Sequence, residues 1–149
     1  MKVRLISGVY GGRFLDAPKS TRTHPMSERV RASLFNQLGD VSGKTVLDAF
    51  AGTGALGFEA LSRGAASATF VERDKLAQKV LTENIQSLGV SDKAKLIKSG
   101  VSGWTDTTTG QSFDLIFVDP PYHDLQLSTV AKLVKYLQPN GLMILSFPG

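Results

Sequence analysis

From residue 44 onward, short apolar runs alternate with segments in which apolar residues recur at helical spacing. The runs are nearly continuous, which is typical of strands that are buried on both faces. They predict five strands, at residues 45–50, 67–72, 94–99, 113–118 and 142–147. The segments between them predict helices at residues 56–63, 74–88 and 127–137. This alternation predicts a doubly wound α/β fold with a mainly parallel sheet, and we expect the strand order 3-2-1-4-5.

The first 26 residues have a different pattern. Glycines and prolines interrupt them, so they predict short strands or turns rather than a helix. Ser27 then predicts the N-cap of a helix that ends at Gly39. The apolar face of this helix consists of Val30, Leu34, Phe35 and Leu38. We expect a single domain in which residues 1–26 form a basic N-terminal arm or short strands and residues 27–149 form the main α/β part.

The composition excludes several classes of protein. With 149 residues, of which 42% are apolar and 20% charged, the chain is typical of one globular domain. It has neither an apolar run of about eighteen residues nor the apolar stretch of a signal peptide, so we expect a cytoplasmic protein with no membrane partner. Cysteine is absent and only two histidines are present, so we expect no metal site.

The positive charge of the chain is concentrated near its start. Residues 1–31 carry seven lysines and arginines against two acidic residues, whereas the remaining residues are close to neutral. This asymmetry is typical of a surface that binds a polyanion such as nucleic acid, although a solvated basic segment without a partner would have the same composition. The candidate contacts with nucleic acid are Arg13, Arg22, Arg29 and Arg31.

A glycine-rich loop follows the first strand of the predicted sheet. Gly52, Gly54 and Gly57 match the spacing G-x-G-x-x-G, and Glu72 ends the next strand. Such glycines let the backbone approach a ligand, and the acid can accept hydrogen bonds from ribose hydroxyls. The pattern favours a nucleoside-containing cofactor, a dinucleotide or S-adenosylmethionine (SAM), over a turn that serves packing alone. Asp48 favours SAM, because a carboxylate before the loop would repel a pyrophosphate but suits a cationic amino-acid tail.

The fourth predicted strand runs into Asp119-Pro120-Pro121-Tyr122. Successive prolines hold an extended backbone without amide hydrogens, so their carbonyls are directed to accept hydrogen bonds from an exocyclic amine. Asp119 adds a second acceptor, and Tyr122 offers a face on which an extruded base can stack. Such a set holds an NH2 group in line with an electrophilic methyl group by positioning rather than by a strong base. The motif therefore favours methyl transfer over a turn with only a structural role.

Together, residues 6–13, 23–31, 47–60 and 119–122 resemble the class I SAM-dependent methyltransferases that methylate guanine N2 in small-subunit ribosomal RNA. The resemblance covers essentially the whole chain. It implies methylation of one guanine in 16S-type ribosomal RNA, within the small subunit or an assembly intermediate. Related Pro-Pro-aromatic motifs serve adenine N6 and protein glutamine amines, so these activities are the alternatives among enzymes. An RNA-binding module without catalysis is the alternative of another class.

The resemblance also implies roles for individual residues. The catalytic set consists of Asp119, Pro120, Pro121 and Tyr122. The cofactor contacts consist of Asp48, Ala49, Phe50, Gly52, Gly54, Glu72, Ser99 and Val101. Asp48 would contact the amino-acid tail of SAM or brace the loop, and Glu72 would bind the ribose.

Two positions depart from the family pattern. Gly100 stands where the family commonly has an acid that meets the adenine amine, so we expect backbone groups near Ser99 and Val101 to hold adenine. His24-Pro25-Met26 stands where the family usually has Arg-Pro-Thr, so a contact with cofactor or RNA is expected to differ there.

The predicted fifth strand would lie at an exposed edge of the sheet. Its apolar residues invite aggregation unless that edge is paired or covered. The family resemblance implies two further strands beside it. We therefore expect these residues to belong to a longer protein, or a neighbouring molecule to protect the edge.

Overall fold

The structure, a computed structural model, describes residues 2–18, 26–120 and 127–146. In chain order, the strands are β1 (Lys2–Arg4), β2 (Phe14–Asp16), β3 (Thr45–Ala49), β4 (Ser67–Glu72), β5 (Ala94–Lys98), β6 (Phe113–Val118) and β7 (Leu137–Leu145). The helices are α1 (Glu28–Leu38), α2 (Ala55–Ser62), α3 (Lys75–Leu88), α4 (Val101–Thr107) and α5 (Leu127–Leu133), and a 3-10 turn follows at Val134–Tyr136. Within the described ranges, no helix is long and apolar enough to cross a membrane.

Strands β3 to β7 form one sheet in the order β5-β4-β3-β6-β7, and every neighbouring pair is parallel. The predicted strand order and doubly wound architecture are confirmed. Because successive side chains of a strand point to opposite faces, the sheet has two apolar clusters. One cluster includes residues of α1, α2 and α3, and the other includes residues of α4 and α5. The strand order reverses between β3 and β6, which is where such sheets bind ligands.

Two elements differ from the sequence-based expectation. The pattern does not predict α4, because this helix has seven residues and includes serine, glycine and threonine. Strand β7 begins at Leu137 rather than at Leu142, and its pairing with β6 includes a register shift. Asn140 takes a positive φ of 67° within this irregular part, a conformation that asparagine tolerates better than most residues. The preceding helix therefore ends at Leu133, before the proline that the sequence suggests as its stop.

Residues 2–18 fold back onto the sheet domain as a hairpin with short strands. β1 and β2 pair in antiparallel fashion. Leu5 and Leu15 are buried in the same apolar cluster as α2 and α3. Asn84 of α3 accepts a hydrogen bond from the Asp16 N–H at 2.9 Å and donates one to the Asp16 carbonyl at 3.0 Å. The hairpin is therefore held by apolar packing and by a paired polar contact.

Helix α1 has the predicted ends and, apart from Val30, the predicted apolar face. The Ser27 hydroxyl accepts a hydrogen bond from the Val30 N–H, and Gly39 follows the last turn. The prediction that Val30 lies on the buried face is wrong, because its side chain is 54% exposed. Phe35 is buried as predicted, and Leu34 and Leu38 pack against the same apolar cluster. The helix also buries Arg31. A hydrophobic pattern cannot represent a helix that buries a charged residue.

Candidate active site

Three acidic residues lie where neighbouring parallel strands end. Asp48 lies near the end of β3, Glu72 ends β4 and Asp119 directly follows β6. Because β3 pairs with both β4 and β6, the three residues share the carboxyl edge of the sheet. Among the described residues, no group of three or more histidine, aspartate or glutamate side chains is arranged to hold a metal ion.

The loop after β3 is organised around Glu72. One carboxylate oxygen, Oε1, accepts a hydrogen bond from the Gly52 N–H at 2.8 Å, and the other, Oε2, accepts one from the Asp74 N–H at 2.8 Å. Gly52 and Gly54 have positive φ values of 57° and 79°, a region that glycine enters without strain. A Cβ atom on Gly54 would also lie 2.6 Å from two neighbouring side chains. The sequence did not predict this contact between Glu72 and the loop, because no residue pattern indicates it and it forms only when the strands pair.

Asp48 braces the start of α2. Its side chain is 2% exposed, and Oδ2 accepts a hydrogen bond from the Gly57 N–H at 3.0 Å. Burial raises the pKa of this carboxyl well above its usual range, although the Gly57 hydrogen bond opposes the change. The nearby charges of Asp119 and Glu72 raise the pKa further. Of the two roles expected from the sequence, the geometry supports the bracing of the loop.

The remaining candidate cofactor residues lie around the same edge. Phe50 follows β3 with a positive φ of 57°, which is rare for an aromatic residue. It packs against the apolar cluster that contains Ala49 and Val101, whose side chains are buried. Ser99 adjoins Glu72, because its N–H donates to the Glu72 carbonyl at 3.1 Å. Ala49 and Val101 can therefore offer a cofactor mainly their backbone atoms.

The end of β6 provides a partly buried carboxyl. Burial raises the pKa of Asp119, and a hydrogen bond with the Ser146 side chain opposes this rise. No sequence signal points to Ser146, because it follows β7 and reaches Asp119 only through the pairing of β6 with β7. Pro120 is buried beside Asp119. The predicted catalytic residues Pro121 and Tyr122 lie outside the described residues.

The candidate nucleic-acid contacts separate into different environments. Arg13 and Arg29 are exposed, and Arg13 Nη2 donates to the Ser87 carbonyl at 2.7 Å. The prediction for Arg31 is wrong, because its side chain is 0% exposed and its Nε lies 3.4 Å from Glu59 Oε1. A basic residue on α1 has the same sequence signal whether it faces solvent or an acidic partner. The fourth candidate, Arg22, lies outside the described residues.

Comparison with known proteins agrees with this geometry. Residues 3–148 match the protein family described as "Conserved hypothetical protein 95". The chain is 38% identical over 148 residues to the ribosomal RNA small subunit methyltransferase D of Haemophilus influenzae, and the match covers 95% of this chain and 77% of that protein. The chain belongs to this methyltransferase family. The family assignment expected from the sequence motifs is therefore confirmed.

Solved structures agree with the assignment. The structure of a candidate methyltransferase from Escherichia coli matches with a TM-score of 0.86 at 35% identity, and the match covers 96% of this chain and 79% of that one. A candidate SAM-dependent methyltransferase from Streptococcus mutans matches with a TM-score of 0.68 at 25% identity, over 80% of this chain and 34% of that one. The class I methyltransferase fold is thus common to this chain and to both structures.

Proposed function

We propose that this protein transfers a methyl group from SAM to the exocyclic N2 amine of a guanine in small-subunit ribosomal RNA. One observation carries the proposal: the glycine loop that Glu72 holds lies next to Asp119, because the loop follows β3, Asp119 follows β6, and these two strands are paired. The relatives support the reaction class, since one is a ribosomal RNA small subunit methyltransferase and another is a candidate SAM-dependent methyltransferase.

The residues at this edge suit SAM better than a dinucleotide. Each oxygen of the Glu72 carboxylate has a further lone pair beyond its amide hydrogen bond, so the ribose hydroxyls can donate to it. Burial raises the pKa of Asp48, and the positive ammonium group of SAM would stabilise the ionised form of this carboxyl, whereas a pyrophosphate would oppose its ionisation. Bound SAM supplies an electrophilic methyl group. We assign the adenine to backbone groups near Ser99, which adjoins Glu72.

Asp119 and Pro120 would position the substrate amine. The carboxylate of Asp119 and the carbonyl of Pro120 can each accept a hydrogen bond from an amine N–H. A guanine presents N1–H and the N2 amine as neighbouring donors, and a carboxylate can accept from either. Burial raises the pKa of Asp119, and an amine donor would stabilise its ionised form. Tyr122 would stack on the base and add about 1–3 kcal/mol of binding.

The exposed basic residues of the N-terminal region would bind the RNA backbone. Lys2, Arg13 and Arg29 are exposed, and they lie on the hairpin and on α1. Electrostatic contacts with phosphates supply affinity without reading sequence, so this surface would orient the RNA rather than select the guanine.

Methylation of small ribosomal subunits tests the proposal. Subunits from a strain that lacks this gene are incubated with the protein and methyl-labelled SAM, and the labelled atom is mapped. We expect label on N2 of one guanine. Label on an adenine N6 or a protein glutamine would refute the assigned substrate, and SAM binding without any transfer would indicate a binding module.

A variant of Asp119 tests its assigned role. Asp119→Ala should abolish methyl transfer and leave the affinity for S-adenosylhomocysteine within about twofold of wild type, because its proposed partner is the substrate amine. Asp92→Ala, which removes an exposed carboxyl elsewhere, is the matched control. Near-normal turnover by Asp119→Ala would contradict the role.

A further inference from the structure

A buried carboxylate outside the candidate active site joins three elements of the fold. Glu59 lies in α2 and is 0% exposed. Its Oε1 accepts a hydrogen bond from the Ile6 N–H at 2.9 Å and lies 3.4 Å from Arg31 Nε of α1. Its Oε2 accepts from the Ser7 N–H at 3.1 Å and from Arg63 Nε at 3.0 Å. One side chain thus connects the N-terminal hairpin, α1 and α2.

The hairpin segment that Glu59 contacts, residues 6–10, is here termed the docking turn. Its contacts continue on the next turn of α2, where the Ser62 carbonyl accepts from the Val9 N–H at 2.8 Å and the Ser62 hydroxyl accepts from the Tyr10 N–H at 3.0 Å. Gly8 has a φ of +83°, and a Cβ atom there would lie 1.9 Å from the Ser62 carbonyl oxygen. The docking turn is therefore fitted backbone to backbone against α2.

Helix α2 holds the candidate cofactor loop at its other end. Gly54 is its N-cap, and the Gly57 N–H donates to Asp48. The hairpin and α1, which attach near the last turns of α2, carry the exposed Arg13 and Arg29. The ring of Phe35 in α1 also lies under the Arg63 guanidinium, at 4.8 Å. The basic surface and the cofactor loop are thus attached to opposite ends of one short helix.

We propose that Glu59 is a positioning residue that fixes the basic hairpin and α1 relative to the candidate active site, so that bound RNA presents its base to Asp119. The proposal rests on the RNA methyltransferase function proposed above. A buried carboxylate that accepts from two backbone amides and pairs with two arginines specifies one arrangement of the elements it joins. Glu59 itself touches neither cofactor nor substrate in this assignment.

The test substitutes Glu59→Gln, which keeps the side-chain shape but replaces one acceptor oxygen by an amide donor. We expect the KM for small ribosomal subunits to rise by about tenfold or more, with kcat at saturating subunits changed by less than about threefold. The affinity for S-adenosylhomocysteine, measured by calorimetry, should stay within about twofold, because the contacts of Gly54 and Gly57 are unchanged. Leu133→Ala, in the apolar cluster on the other face of the sheet, is the control for lost stability alone. It should lower the Tm without raising this KM.

A second variant acts on the same contact from the opposite side. Gly8→Ala displaces the docking turn through the Ser62 carbonyl and leaves the charge of Glu59 in place, and it should raise the same KM. Hydrogen exchange of residues 2–18 should become faster in both variants, whereas exchange in β3 and β4 should not. The proposal is overturned if neither variant raises the KM while both are folded, or if cofactor affinity falls as much as RNA affinity.

These measurements separate the two proposals. If the wild-type protein does not methylate ribosomal RNA, the proposed function fails and the KM comparison has no meaning. Hydrogen exchange then decides the positioning role by itself, and unchanged exchange of residues 2–18 in Glu59→Gln would refute it. If the wild type is active, and both variants lower the Tm without raising the KM as Leu133→Ala does, the proposed function stands and the positioning role fails.

Discussion

Glu72→Gln should weaken cofactor binding through both the loop and the ribose contact. In the folded chain, its two carboxylate oxygens accept from the Gly52 and Asp74 amides, each at 2.8 Å. Glutamine retains one carbonyl oxygen, but its NH2 group faces an N–H donor at the other position and leaves that amide unpaired. A hydrogen bond to a charged group contributes about 1.5–3 kcal/mol. If the ribose hydroxyl loses one such interaction with the carboxylate, the affinity for the cofactor decreases by about 10- to 150-fold.

The assay for Glu72→Gln is calorimetric titration with S-adenosylhomocysteine, with circular dichroism to verify the fold. Glu83→Gln is the matched control, because it makes the same chemical change at an exposed position on α3. We expect the control to bind within about twofold of wild type, because a surface charge that is not at the site contributes little. Equal affinity of Glu72→Gln and Glu83→Gln would refute the assignment of Glu72 to the cofactor site.

Four further variants test the fold, the acidic edge and the arginines. Asn84→Ala should lower the free energy of unfolding by about 2 kcal/mol, because two hydrogen bonds to Asp16 are lost. Thermal melts should show a Tm about 4–8 °C lower, and an unchanged Tm would contradict a stabilising role of this contact. Because burial raises the pKa of Asp48 in the folded state, its contribution to stability is greatest below the ordinary carboxyl pKa and is lost as the pH rises through the raised pKa. Urea unfolding at a series of pH values should show this loss of stability in the wild type, and Asp48→Asn should show a flatter dependence of the free energy of unfolding on pH. The same pH dependence in both proteins would contradict the assigned effect of Asp48. Arg29→Ala should reduce RNA affinity and its salt dependence with little change in Tm. Arg31→Ala removes a fully buried side chain and one of the two arginines beside Glu59, so it should cost about 1–3 kcal/mol of stability. Equal melting of these two variants would contradict the difference in burial.

The strand ends could be predicted because the signals for them are local. A buried parallel strand is a continuous apolar run, and the polar residue that ends it marks the edge where ligands bind. Asp48, Glu72 and Asp119 each follow this rule within a few residues of sequence. The strand order also follows from general rules, since consecutive parallel strands need right-handed crossovers. A candidate site could therefore be proposed before any contact between its members was known.

The role of Arg31 could not be predicted, because its partner is distant in sequence. Glu59 lies in a helix that is buried along its whole length, and only the packing of α1 against α2 brings the two charges together. Val30 is exposed beside the buried Arg31, and the apolar pattern of α1 does not indicate this difference. The bracing of Gly52 by Glu72 is likewise tertiary. In each case, a polar contact between separate elements decides the outcome, and residue spacing does not encode it.

Departures from ordinary folding preferences coincide at one edge of this sheet. Phe50 has a positive φ, Asp48 is a buried acid with a raised pKa, and a Cβ atom on Gly57 would lie 2.4 Å from a neighbouring ring. The positive φ of Phe50 and the burial of Asp48 cost stability, and both lie where β3 meets the loop before α2. The apolar clusters on the two faces of the sheet supply the compensating stability. Strain that the rest of a fold must offset is expected where a ligand is bound, and here it surrounds the carboxylates assigned to SAM and to the substrate amine.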